Sequence, residues 1–267
     1  MKPFTVPKYI LLWSLTIAIL VTIASLLGLY DPAIYIDETT NWASQAQGQD
    51  IGNLLAVVSL LISGYFYSKK SYKAALVWIG TLLYLMYAYV VYAVAVHFNG
   101  LFLVYVTVLG LSSYALLFTI TQLRAHFDMS GSVSVRRFAG YTLAGIGILI
   151  SFLWLSELIP ALLAGTVPAS ITEAGLWVNP IHVIDLAIVL PAFILSGILA
   201  LKNKRDGLFF VGPWLVFSAL MAASIVFAMI IIGLSDGFSA VLPPLVMVSL
   251  VMVLSTLAAW RYLRQLA

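Results

Sequence analysis

Residues 74–96, Ala-Ala-Leu-Val-Trp-Ile-Gly-Thr-Leu-Leu-Tyr-Leu-Met-Tyr-Ala-Tyr-Val-Val-Tyr-Ala-Val-Ala-Val, decide the fold. They hold no charge. Lys69, Lys70 and Lys73 stand immediately before them, and His97, Asn99 and Gly100 close them. An apolar run this long, bounded by lysines on one side only, has the length of a bilayer-crossing helix, which needs roughly 20 apolar residues. Seven more stretches read the same way: Tyr9–Leu29, Ile51–Tyr67, Leu101–Leu123, Phe138–Leu163, Ile181–Leu201, Leu208–Gly233 and Phe238–Leu263. The expected fold is an all-α membrane protein of eight transmembrane helices.

Composition agrees. Of 267 residues, 63% are hydrophobic and 9% are charged. A soluble domain carries about a quarter charged residues, so this chain lacks the charge to cover a water-facing surface and takes the bilayer as its solvent. The first apolar run follows Lys2 and Lys8, as a signal peptide would, but it exceeds the usual length of a cleaved one and reads as a span. Absent cysteine removes disulfides, iron–sulfur clusters, thiolate zinc sites and thiol nucleophiles, and with them a quinone-linked disulfide oxidoreductase. The basic residues sit in short clusters rather than on one face, which argues against nucleic acid.

With eight spans, all thirteen Lys and Arg fall on one side, in clusters at Lys2/Lys8, Lys69/Lys70/Lys73, Arg124/Arg136/Arg137, Lys202/Lys204/Arg205 and Arg261/Arg264. The positive-inside rule makes that side the cytoplasm and puts both termini there. Eight of the ten acids (Asp31, Asp37, Glu38, Asp50, Glu157, Glu173, Asp185 and Asp236) sit on or near the other side, leaving Asp128 and Asp206 with the basic clusters. An acidic outer face attracts cations and repels anions.

The two long outer loops match when aligned without gaps. Ile36, Glu38, Trp42 and Asp50 precede Ile171, Glu173, Trp177 and Asp185 by 135 positions. Ser63-Gly64 stands six residues before Lys69, as Ser196-Gly197 does before Lys202, and Asn99-Gly100 and Asp236-Gly237 close the two short outer loops. The expectation is a tandem repeat of four helices, residues 1–135 and 136–267. An even-numbered unit keeps both copies in one orientation, so the halves are related by a pseudo-twofold axis along the membrane normal.

Chemistry concentrates at the start of helix 6, in Asn179, Pro180, Ile181, His182, Val183, Ile184 and Asp185. Asn followed by Pro is a good helix start. His182 and Asp185 then lie three apart on one face, where a carboxylate can orient an imidazole as a base, a proton relay or a metal ligand; the plainer reading is a pair that ties the helix end to a loop. The counterpart in the first half is Gln47, Gly48, Gln49, Asp50, Ile51, Gly52 and Asn53. There Asp50 and Asn53 share a face, Asp50 alone reads as a helix N-cap, and a twofold axis sets Asp50 opposite Asp185.

Glu157, before Pro160, is either an acid at membrane depth or an interfacial residue. Glu38, Glu173, Trp42 and Trp177 join the candidate substrate-binding set as loop residues, although the tryptophans read equally as interfacial anchors. His97 and His182 are weak metal candidates, as a two-His, one-carboxylate site or as bis-His haem ligands. His126 lies on the basic side, which excludes a three-His zinc site. Tyr84, Tyr87, Tyr89 and Tyr92 point in several directions from one helix, and central tyrosines need partners away from water, so helix 3 is expected to be surrounded by others. No phosphate-cradling glycine loop, G-x-S-x-G elbow, H-E-x-x-H or mid-membrane lysine is present, and no cofactor is implied.

The Gly48-Gln49-Asp50 and His182-Val183-Ile184-Asp185 stretches, with the overall layout, resemble a set of uncharacterised bacterial multi-pass membrane proteins. The resemblance implies an inner-membrane protein and carries no activity. Three functions are consistent with the residues. One is a carrier of a small cation or proton-coupled neutral solute, with an outward-facing acidic site between the repeats. The second is a membrane-embedded enzyme acting on lipid-linked substrate through a His182–Asp185 base or metal site. The third is a non-catalytic accessory subunit. The partners implied are the bilayer and a small-molecule or lipid ligand.

Overall fold

The computed structural model describes residue 6 and residues 9–127 and 131–266, and Lys2, Lys8 and Asp128 lie outside them. Among the described residues eight helices are long and apolar enough to cross a membrane. They are α1 (Ile10–Tyr30), α2 (Thr40–Ser68), α3 (Tyr72–Ala95), α4 (Phe102–His126), α5 (Val133–Ala164), α6 (Pro180–Leu201), α7 (Arg205–Asp236) and α8 (Phe238–Leu263). Two single turns, Pro32–Tyr35 and Ala169–Glu173, lie in the connections after α1 and after α5.

Two boundaries depart from the sequence reading by more than a turn: α5 starts at Val133 rather than Phe138, and α2 departs furthest. Helix α2 starts at Thr40 rather than Ile51, because Thr39 Oγ1 accepts from Trp42 N at 3.2 Å and caps it. Its first turns, Thr-Asn-Trp-Ala-Ser-Gln-Ala-Gln-Gly-Gln, are too polar to register as membrane span, yet apart from Gly48 they carry no helix breaker. Asp50 is therefore not an N-cap and not at a helix start. It lies inside α2 and is 2% exposed. Helix α5 likewise runs through Pro160 to Ala164, ending on Gly165 in the left-handed conformation (φ 65°), so it does not end early at Glu157.

Helix α1 packs on α2 and α4, α2 on α3, and α3 on α4. In the second half α5 packs on α6 and α8, α6 on α7, and α7 on α8. The halves meet where α7 lies against both α2 and α3, with the start of α6 touching α3. As expected from its tyrosines, α3 is the most enclosed span.

Small residues set the central crossing. A Cβ on Gly48 would stand 2.2 Å from Ala228 Cα, and one on Gly52 would stand 2.2 Å from Ser224 Cβ. Gly48-x-x-x-Gly52 thus lets the α2 backbone settle directly on α7, the close-approach packing that replaces hydrophobic burial as the driving force inside lipid.

Every described Lys and Arg lies at one end of this bundle, because the helices alternate in direction. That end is also stitched across the halves. Arg124 Nε and Nη2 donate to Asp206 Oδ1 and Oδ2 at 2.7 and 2.6 Å, and Arg205 Nη2 donates to the carbonyls of Arg124 and Ala125 at 2.8 Å.

Candidate functional site

Helix α6 is assembled from three pieces. Asn179 Oδ1 accepts from Ile181 N at 2.9 Å and Pro180 takes the first position, giving the short α segment Pro180–Ile184. Asp185–Val189 then widens into a π turn, and Leu190–Leu201 resumes the α-helix. A π turn adds one residue to the spiral and re-aims the side chains beside it, which is why such turns recur at functional sites.

Asp185 sits at this break. Its Oδ1 accepts from Tyr87 Oη of α3 at 3.0 Å, and its Oδ2 accepts from Trp154 Nε1 of α5 at 2.8 Å. The carboxylate is 9% exposed. A carboxylate with each oxygen fixed by an aromatic donor from a different helix is rigidly placed.

His182 has a different environment. Its ring lies 4.6 Å from the Trp154 ring, and neither ring nitrogen has a hydrogen-bond partner. The nearest acid is Glu157, with Oε2 at 3.9 Å from Nε2, while Glu157 Oε1 accepts from Ser170 N at 3.3 Å. Trp154 thus touches both members of the expected His182–Asp185 couple, bonded to one and in tilted ring contact with the other.

A cavity of about 480 Å³ opens between the halves, walled by α2, α3, α5, α6, α7 and α8. Asp185, Trp154, Tyr87, Gln49, Gln45 and Ser224 supply its polar surface, and Phe193, Phe217, Met221 and other apolar side chains supply the rest. Gln49 is held in place: Nε2 donates to Tyr84 Oη and to Asn53 Oδ1 (3.3 Å), and Oε1 accepts from Ser224 Oγ at 3.2 Å.

Asp50 has its own partners. Tyr35 Oη donates to Oδ2 at 2.7 Å and Tyr92 Oη to Oδ1 at 2.8 Å. Burial first, and then Asp50 itself, push the Tyr35 hydroxyl well above its ordinary pKa, so it stays a donor. Asp50 is packed toward α1, where a Cβ on Gly28 would stand 2.2 Å from Oδ2. Asp185 lines the cavity and Asp50 does not. Asn53, fully buried, accepts from Gln49 and makes no hydrogen bond to Tyr35 or Tyr92, the partners of the Asp50 carboxylate.

The other candidates separate. Trp42 is buried, lines the cavity and donates from Nε1 to the Ala95 carbonyl at 2.8 Å, whereas Trp177 is 100% exposed. Glu38, with a buried side chain, accepts from the His97 backbone N at 2.6 Å and approaches His97 Nδ1 at 3.1 Å. Glu173 is exposed. Among the described residues no group of three or more His, Asp or Glu side chains is placed to hold a metal ion.

Sequence reading did not single out Tyr35, Trp154 or Gln45, and for the α3 tyrosines it preferred packing to a pocket-lining role. Their scatter around α3 was the available signal, since Tyr84, Tyr87 and Tyr92 reach Gln49, Asp185 and Asp50 respectively. No protein family, curated protein or solved structure matches the chain.

Proposed function

We propose that this protein is a carrier of a small organic cation with substantial apolar surface, bound in the cavity between the halves with Asp185 as its anionic contact. The supporting observation is one carboxylate, fixed by Tyr87 and Trp154, in a cavity lined by aromatic and aliphatic side chains. Aromatic faces attract cations that have shed their water, and a carboxylate in an apolar wall favours positive charge over negative. With every described Lys and Arg at the far end of the bundle, no positively charged side chain lines the cavity to hold an anion. Positive-inside placement makes the cavity end the outer face of the inner membrane, with both termini cytoplasmic.

The halves read as a tandem repeat, which suits a pathway between them. The pairings of the first half, α1 with α2 and α4, α2 with α3, and α3 with α4, recur in the second, which adds a contact of α5 with α7. The turns after α2 and α6 agree at a spacing of 133: Lys70 and Asn203 both have positive φ (65° and 55°), Lys70 N bonds Tyr67 O as Asn203 N bonds Ala200 O, and Ser71 N bonds Phe66 O as Lys204 N bonds Leu199 O. This is one helix-ending motif used twice. Ser63-Gly64 and Ser196-Gly197 also occupy matching places. A Cβ on Gly64 would meet Ser14 Oγ of α1 at 2.5 Å, and one on Gly197 would meet the Gly140 carbonyl of α5 at 2.7 Å.

Ethidium, a flat organic cation, is a suitable probe. Binding to the purified protein in nanodiscs should weaken by about tenfold or more in Asp185→Asn, since tenfold is only ~1.4 kcal/mol. Equal binding by the two proteins would remove Asp185 from the site.

The Glu157–His182 approach favours a second reading, an enzyme acting on lipid-linked substrate. His182 lies outside the cavity lining, which sets this reading behind the carrier. Hydrolysis of a lipid-linked substrate that disappears in His182→Ala and is retained in Asp185→Asn would reverse that order.

A further inference from the structure

Asp50 has no task in the cation-binding reading, and its surroundings are specific. It lies in α2 with Tyr35 from the outer turn on one oxygen and Tyr92 from α3 on the other. The titratable groups around it are Tyr35, Tyr84, Tyr89, Tyr92 and Tyr105. Helix α1 contributes Ser25 and Gly28, and along the Gly48–Gly52 seam α7 contributes Ser224 and Ala228, none of which titrates. No Lys or Arg among the described residues is near. An ionised carboxylate at this depth without a countercharge is costly.

A neutral carboxyl needs an acceptor for its own proton, and Ser25 of α1, whose side chain interacts with Asp50, supplies one. Its Oγ is buried and forms no hydrogen bond of ordinary length. An unsatisfied hydroxyl is itself expensive in an apolar interior, and a proton on Asp50 gives it a partner.

Tyr92 links this cluster to the cavity. It lines the cavity wall, and its hydroxyl reaches both Asp50 Oδ1 and the Ala46 carbonyl, the latter at 3.1 Å. A chain of short hydrogen bonds therefore runs from Tyr35 on the outer turn, through Asp50, to Tyr92, a residue of the cavity wall.

We propose that Asp50 is a proton-binding site, loaded from the outer side through Tyr35 and coupled through Tyr92 to occupancy of the cavity. In loading, a proton from outer water reaches the Tyr35 oxygen in the same step in which the Tyr35 hydroxyl proton moves to Asp50 Oδ2, so no tyrosinate forms, the tyrosine keeps one proton throughout and the carboxylate becomes a neutral acid. Tyr92 no longer faces a carboxylate, its hydroxyl is released toward Ala46, and the cavity wall changes its hydrogen-bonding surface. The proton site stands on its own geometry. Its coupling to solute rests on the carrier reading above.

Infrared spectroscopy of the protein in liposomes tests the site without any ligand. The carbonyl stretch of a protonated carboxyl should appear as pH is lowered, vanish in Asp50→Asn, and shift in both Tyr35→Phe and Tyr92→Phe, which keep the acid and remove one hydroxyl each. A spectrum untouched by Asp50→Asn overturns the proposal. So does a band unmoved in both tyrosine variants, the decisive comparison if Asp50→Asn does not fold. Loss of the band on adding Na⁺ at constant pH also overturns it, by assigning the site to a metal cation. Ethidium affinity should vary with pH in the wild type, through Asp185 directly and through Asp50 by way of Tyr92; Tyr92→Phe should remove the same part of that variation as Asp50→Asn, and a pH profile that Tyr92→Phe leaves unchanged sinks the coupling. Absence of ethidium binding at every pH, with the band intact, would instead remove the carrier reading and leave the proton site.

Discussion

Trp154 shows how much of this site depends on single atoms. Its indole N–H is the donor on Asp185 Oδ2, and its ring is the surface against which His182 rests. Trp154→Phe keeps most of the ring contact and deletes the donor, so a buried carboxylate loses one of two partners. We expect a loss of about 1–3 kcal/mol, the usual cost of an unsatisfied buried acceptor, read as a lower thermal midpoint in detergent. Tyr87→Phe should behave alike, while Tyr141→Phe, on a hydroxyl exposed at the protein surface, should change nothing. Gly28 is the other sensitive residue. A methyl there would collide with Asp50 Oδ2 and lie 2.7 Å from Tyr35 Oη. Gly28→Ala should therefore destabilise the fold by about 1–3 kcal/mol, as overpacking does, and disturb the Asp50 carboxyl band as well. A melting curve that coincides with wild type would show that α1 shifts freely.

At the scale of elements, helix α6 is the part whose irregularity carries meaning. The extra residue in the π turn Asp185–Val189 sets the angular position of Pro180–Ile184 relative to Leu190–Leu201. Ile188, exposed on the outer surface of that turn, is the natural residue to remove. Deleting it should restore a continuous α-helix and rotate the upstream segment by about 100°. The expected outcome is a protein that still inserts and melts cooperatively but no longer binds ethidium; undiminished binding would mean the π turn has no part in the site. The α2–α7 crossing makes the opposite point, since there regularity is essential. Gly48→Leu places a side chain where Ala228 backbone already stands, so the halves must separate. It should give a less stable protein with a disrupted cavity, measured by thermal midpoint and ethidium binding together.

The whole molecule offers a clean topology test because it contains no cysteine. Single cysteines at Asn99 and Lys70 lie at opposite ends of the bundle, after α3 and before it. In intact cells Asn99→Cys should react with a membrane-impermeant maleimide, and Lys70→Cys should react only after permeabilisation. The reverse pattern would invert the protein and turn the cavity toward the cytoplasm. At this scale the two acids that look equivalent in sequence do not stand in equivalent places. Asp50 bonds Tyr92 of α3, in its own half, and is packed toward α1; Asp185 reaches across to Tyr87, also of α3, and lines the cavity.

Eight spans and their alternation were written in the sequence, because hydropathy over a bilayer thickness and the clustering of Lys and Arg are properties of consecutive residues. Asn179-Pro180 as a helix start was legible for the same reason, a cap being local. The true start of α2 was hidden, since polar turns that pack against protein look like loop to any reading based on transfer to lipid. The destinations of Tyr35, Tyr87, Tyr92 and Trp154 were hidden more deeply. A tyrosine or indole declares that it needs a hydrogen-bond partner, but which acid receives it depends on how helices from different parts of the chain are brought together. Only the tertiary structure decided that Asp185 faces the cavity and that Asp50 is enclosed by tyrosines, because that choice is made by close packing at glycines such as Gly28, Gly48 and Gly52 between distant segments.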